Sequence, residues 1–90
     1  MKMSDQEIAS RIKSFAGWEV QDDRLTKTFR FHSYMEGVDF VNQIAAAAES
    51  LQHHPDLLLG YCQVKVAVTT HDEGGITEKD FELIRRIERG

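Results

Sequence analysis

Ahead of three amphipathic runs a hydroxyl side chain is followed three positions later by a carboxylate: Ser4–Glu7, Ser33–Glu36 and Thr77–Asp80. In this spacing the hydroxyl accepts from the amide three residues on, and the carboxylate reaches back to the amide of the capping residue. Each pair therefore marks the start of a helix. An amphipathic run follows every one of them. Ile8, Ile12 and Phe15 share a face of a first helix, expected over Ser4 to Ala16, with Gly17 supplying a left-handed stop. Val38, Val41, Ile44, Ala45, Ala48 and Leu51 form the stripe of a second, from Tyr34 to about Ser50. Phe81, Ile84 and Ile87 form that of a third, with Arg85, Arg86 and Arg89 suiting its C-terminal end.

Strand patterns fill the intervals. Trp18 to Gln21 and Arg24 to Phe31 read as a hairpin turning at Asp22-Asp23. Leu25, Phe29 and Phe31 alternate with Thr26, Thr28 and Arg30, while Lys27 falls on the apolar side, against the pattern. Trp18 is expected in the core rather than against a ligand. Leu57-Leu58-Leu59 reads as a short strand. A longer one is expected from Tyr61, with Cys62, Val64, Val66 and Val68 on one face and Gln63, Lys65, Ala67 and Thr69 on the other. His71 continues the polar face. The order α-ββ-α-ββ-α predicts one α+β domain over residues 1–90, a two-layer fold with an antiparallel sheet of about four strands and the helices on one face.

Composition excludes several functions. A net charge of -4 argues against a nucleic-acid surface, which needs clustered Lys and Arg. No apolar run approaches the roughly 20 residues that cross a bilayer, and MKMSDQEIAS lacks the apolar core of a signal peptide. Cys62 is alone, so a reducing, cytoplasmic setting is expected. A chain this short buries a modest core, which favours oligomerisation.

Chemistry concentrates between Glu49 and Asp80, in the pattern E-x3-H-H-P-x5-Y-x9-H-x8-D. Histidine exchanges protons near neutral pH without special tuning, so His53, His54 and His71 with nearby carboxylates point to proton transfer. Pro55 holds His54 in an extended backbone, where adjacent side chains diverge, so His53 and His54 are expected to do different jobs. Glu49 sits near a helix C-terminus, where a negative charge is disfavoured. It is either a solvated border residue or the partner of His53 or His54. Asp80 is either a simple cap or part of the site. A zinc set of His53, His54, His71 and Cys62 fits no common ligand spacing. Cys62 lies among valines, where a thiol is inert. Gly74-Gly75 is no phosphate loop.

The same residues resemble the pterin-4a-carbinolamine dehydratases. Glu49, His53, His54, Pro55, Tyr61, His71 and Asp80 match, within Ala48-Glu49, His53-His54-Pro55-Asp56, Thr70-His71-Asp72 and Gly74-Gly75-Ile76-Thr77. Trp18, Leu25, Phe29, Phe31 and Phe40 fall where that family places apolar residues. Gln52, where the family often has Asn, and a final helix poorer in alanine depart from it. The resemblance implies the same α+β fold and dehydration of a 4a-hydroxytetrahydropterin to a quinonoid dihydropterin, with no metal and no cofactor. It implies that His53, His54 and His71 line the pterin site, with His53 and His71 as acid and base. His54, Pro55, Tyr61 and Thr70 would bind substrate, Glu49 would orient a histidine, and Asp80 would anchor the His71 loop. It further implies a homodimer or homotetramer, and an aromatic amino-acid hydroxylase in the same pathway. A non-enzymatic binding or dimerisation module of the same fold is the competing expectation. Such a module would be free to lose a histidine, and here all three stand.

Overall fold

The computed structural model describes residues 1–89. The elements run α1 (Asp5–Ile12), β1 (Glu19–Gln21), β2 (Arg24–Arg30), α2 (Tyr34–Leu51), β3 (Asp56–Gly60), β4 (Gln63–Val68), a 3-10 turn (His71–Glu73) and α3 (Glu78–Arg89). The four strands make one antiparallel sheet in the order β1-β2-β4-β3. This is the expected α+β architecture. Helix α2 carries the chain from β2 to the far edge, and the β3–β4 hairpin then returns β4 to the centre.

Two of the three capping boxes form in full, and the third forms with a shifted hydroxyl bond. Ser4 accepts from the Glu7 amide at 3.1 Å, and Ser33 from the Glu36 amide at 3.2 Å. Thr77 accepts from the Lys79 amide at 3.2 Å, while Asp80 takes the Thr77 amide at 2.8 Å. The core lies between the sheet and the helices. Leu25, Val64, Val66 and Val68 meet Ile44, Ala48, Phe81, Leu83, Ile84 and Ile87, all buried. Each such side chain removed from water contributes about 1.5–3 kcal/mol, which fixes α3 firmly against the sheet. Gly37 lets α2 lie close, because a Cβ there would meet Leu59 at 3.3 Å and Val64 at 3.5 Å. Trp18 is buried as expected, and its ring N–H donates to Glu88 at 2.8 Å.

Several expectations need correction. Helix α1 ends at Ile12, not Ala16, and the chain continues in tight turns through Phe15. The Lys27 ammonium takes the Ala16 carbonyl at 3.0 Å, and Phe15 swings to within 5.7 Å of the Phe81 ring. Lys27 does face the helices. Its charge is matched by Glu88 at 2.7 Å and lies 4.6 Å from the Phe29 ring centroid. Ala45 is exposed rather than part of the α2 stripe. Tyr61 and Cys62 form the hairpin turn instead of opening β4. Cys62 has φ of 60°, so it does not extend the valine face.

Candidate active site

The β3–β4 pairing sets the site. Asp56 lies opposite Ala67, and counting that register backwards along β3 brings His54 level with Thr69 and His53 level with Thr70. The chain enters β3 from a tightly specified helix end. Gln52 takes a left-handed backbone (φ 51°, ψ 44°), and the His53 amide donates to the Ala48 carbonyl at 3.0 Å. That pattern closes a helix and fixes where His53 begins. The Gln52 side chain adds a bond to the Glu49 carbonyl at 2.8 Å.

Asp80 is fully buried and surrounded by three donors. His53 Nε2 is 2.6 Å from its Oδ1, while the Thr70 hydroxyl and the Thr77 amide both donate to Oδ2 at 2.8 Å. The Thr77 hydroxyl completes a relay by donating to Thr70 Oγ1 at 2.8 Å. Asp80 caps α3, ties down the residue before His71, and holds His53. Bonding to a carboxylate puts the hydrogen on Nε2 and leaves Nδ1 as the free ring atom. At the surface, Glu49 Oε2 meets His54 Nε2 at 2.5 Å, so its partner is His54 and not His53.

His53, His54 and His71 line one cavity of about 280 Å³. His53 is half-buried, and His54 and His71 are exposed. Thr70 also lines it, but its hydroxyl is committed to Asp80 and Thr77. Tyr61 lies elsewhere. It is 81% exposed at the opposite end of the hairpin, on the order of 17 Å along β3 from the histidines. Pro55 shapes the entry to β3 and is not among the lining residues. Gln52, Thr69, Asp72 and Lys79 also line the cavity, though none was assigned a role from the sequence. Their only signal there is a place within two residues of a histidine or of Asp80. Among the described residues no three His, Cys, Asp or Glu side chains are grouped to hold a metal ion.

A larger groove of about 590 Å³ lies between β2, α2 and α3, floored by Phe29, Phe31 and Phe40 and flanked by His32. Two of its carboxylates are engaged: Glu36 caps α2 and Glu88 binds Trp18 and Lys27, while Asp39 also lines the groove. Three histidines converge on the smaller cavity, against one, His32, at the larger groove.

A two-layer α+β domain with an HHP loop facing a histidine at the end of a central strand defines a class, and comparison with known proteins agrees with it. The family model described as Pterin 4 alpha carbinolamine dehydratase matches residues 1–90. A Sulfolobus acidocaldarius protein provisionally named pterin-4-alpha-carbinolamine dehydratase is 43% identical over 89 residues, covering 99% of this chain and 98% of that one. A similarly named Picosynechococcus protein is 40% identical over 82 residues, covering 91% and 89%. The crystal structure of a transcriptional coactivator/pterin dehydratase from Brucella melitensis superposes with a TM-score of 0.94 at 30% identity, covering 99% and 97% of the two chains. A pterin dehydratase-like protein described as a RuBisCO assembly factor in the alpha-carboxysome shares the fold, with a TM-score of 0.64 at 23% identity over 80% of this chain and 83% of that one. The chain belongs to the pterin 4 alpha carbinolamine dehydratase family.

Proposed function

We propose that the protein removes water from a 4a-hydroxytetrahydropterin, giving the quinonoid dihydropterin, with His53 and His71 as acid and base. The C4a–O bond breaks and the hydroxyl leaves with the bonding pair, protonated by the acid. The base takes the proton on N5, and the electrons of that N–H bond form the new C4a=N5 bond. Water departs, one proton has moved from one histidine to the other, and no electrons pass to the protein. Each positioned proton transfer contributes roughly 10²–10⁴-fold.

Family membership supports the reaction. The observation that carries the residue assignment is the shared cavity of His53, His54 and His71, with Nε2 of His53 held by Asp80 and Nε2 of His54 held by Glu49. An imidazole anchored on a buried carboxylate suits proton transfer, because its orientation is fixed before substrate arrives. His54, exposed and anchored on an exposed carboxylate, suits substrate holding. In the same reading the protein works as a homo-oligomer. Leu58 is 67% exposed on the edge strand β3, an apolar edge of the kind that a neighbouring subunit covers.

The test is the decay of a synthetic 4a-hydroxytetrahydropterin, followed by ultraviolet absorbance. Purified protein accelerates it in proportion to its concentration above the spontaneous rate. Decay at the spontaneous rate at all protein concentrations contradicts the proposal and favours a binding module.

A further inference from the structure

We propose that the segment Lys2–Met3 latches the His71 turn, and that Met3 is a positioning residue for the proton-transfer group the turn carries. This rests on the dehydratase reading above and deepens it, from which histidine acts to what holds that histidine in place.

The rings of His53 and His54 are held by Asp80 and Glu49. His71 has no such partner: among the described residues its ring makes no side-chain hydrogen bond, and the residue is exposed. Its direction is set by the backbone of the 3-10 turn His71–Glu73, which no side chain caps. The base of that turn is closed by a bridge between Thr70 and Gly75, whose amides donate to each other's carbonyls at 3.2 and 3.3 Å. Asp80 clamps this base once, through the Thr70 hydroxyl and the Thr77 amide.

Lys2 and Met3 clamp it a second time, between those two points. The Met3 amide donates to the Ile76 carbonyl at 2.8 Å. The Lys2 stem lies over the buried Gly75, where a Cβ would stand 3.0 Å from its Cε and 3.1 Å from its Cδ. The clamp is itself anchored. Met3 precedes the Ser4 cap of α1, and Ile8 is the fourth residue after that cap. Apolar side chains at these two positions staple a chain to the helix it enters. Both are buried, in the core cluster that also holds Ile76 and Phe81. Helix α1 carries no acid–base group of the site. Through Met3 it sets the path of the backbone that aims His71.

A base displaced by a fraction of an ångström loses rate while the substrate is still held by the other groups. Met3→Ala therefore lowers kcat by about tenfold, measured above spontaneous dehydration, with KM changed less than about twofold. Met3→Leu, of similar volume, restores kcat. The ring of His71 gives the readout that a staple without this role would not move. In NMR spectra of histidine-labelled protein, Met3→Ala broadens or splits the His71 ring signal and leaves those of His53 and His54 in place. An unchanged kcat or His71 signal in folded Met3→Ala overturns the latch. So do equal changes at all three histidines, or a Met3→Leu variant as impaired as Met3→Ala. Where Met3→Ala does not fold, hydrogen exchange of the wild type decides. The Met3, Thr70 and Gly75 amides share one level of protection, as members of one opening unit. A Met3 amide that exchanges freely beside protected Thr70 and Gly75 overturns the latch. A wild type without turnover removes the dehydratase reading, and the His71 signal and the exchange rates then decide the latch by themselves.

Discussion

Asp80 ties the fold to the candidate site through one side chain. It is fully buried, and its loss strands His53, Thr70 and the Thr77 amide at once. Asp80→Ala therefore destabilises the protein by about 3–5 kcal/mol, as does removal of one partner from other buried pairs, measurable by urea unfolding. Asp80→Asn keeps the size but can turn a donor towards His53, so it lowers kcat by about tenfold or more while costing less stability. Equal catalytic rates for wild type and Asp80→Asn contradict the positioning role. The residue types of the site were legible in the sequence, and their partners less so. That Glu49 wants a partner follows from its place near a helix end. That the partner is His54 depends on the left-handed Gln52, which no pattern announces. The family resemblance drew Tyr61 into the site, and the direction of β3 carries it away.

Among the elements, starts were more legible than ends. A capping box is local chemistry, so two appear as read, and at Thr77 the carboxylate half appears while the hydroxyl takes the Lys79 amide. Ends depend on tertiary partners: α1 stops early because Lys27 and Phe81 claim its last turn. The docking of α1 onto α3 has a pH signature. The Arg11 hydrogen bond holds the Glu78 carboxyl below its ordinary 4.5, and the Ser4 amide and hydroxyl do the same for Glu7. A carboxyl lowered in the folded state contributes stability above its unfolded value, and that contribution is lost as pH falls through the folded value. The stability gap between wild type and Glu78→Gln is thus present at neutral pH and closes below 4.5. A gap that widens on acidification contradicts the pairing.

At the scale of the molecule, strand number and the two-layer form were legible, while the order β1-β2-β4-β3 was not. Order depends on where the α2 crossover lands, and Gly37 against Leu59 is a contact without a periodicity. The open edge at β3 leads to an assembly prediction. Sedimentation at micromolar protein gives an oligomer, and Leu58→Asp shifts it towards monomer. A monomeric wild type, or an oligomer indifferent to Leu58→Asp, contradicts the covered edge. Because the proposed dehydration needs only an acid and a base, exhaustive chelation leaves turnover intact. A tightly bound metal whose removal abolishes turnover contradicts the mechanism.

His53, His54 and His71 differ in kind if two move protons and the third holds substrate. The most direct measurement is kcat and KM for the three alanine variants on one 4a-hydroxytetrahydropterin, each corrected for spontaneous dehydration. His53→Ala and His71→Ala lower kcat by roughly 10²-fold or more. His54→Ala raises KM with kcat largely kept, and the His53→Ala/His71→Ala double variant costs far less than the product of the single losses. Loss of turnover at saturating substrate in His54→Ala, beside an intact kcat in His53→Ala, contradicts the assignment.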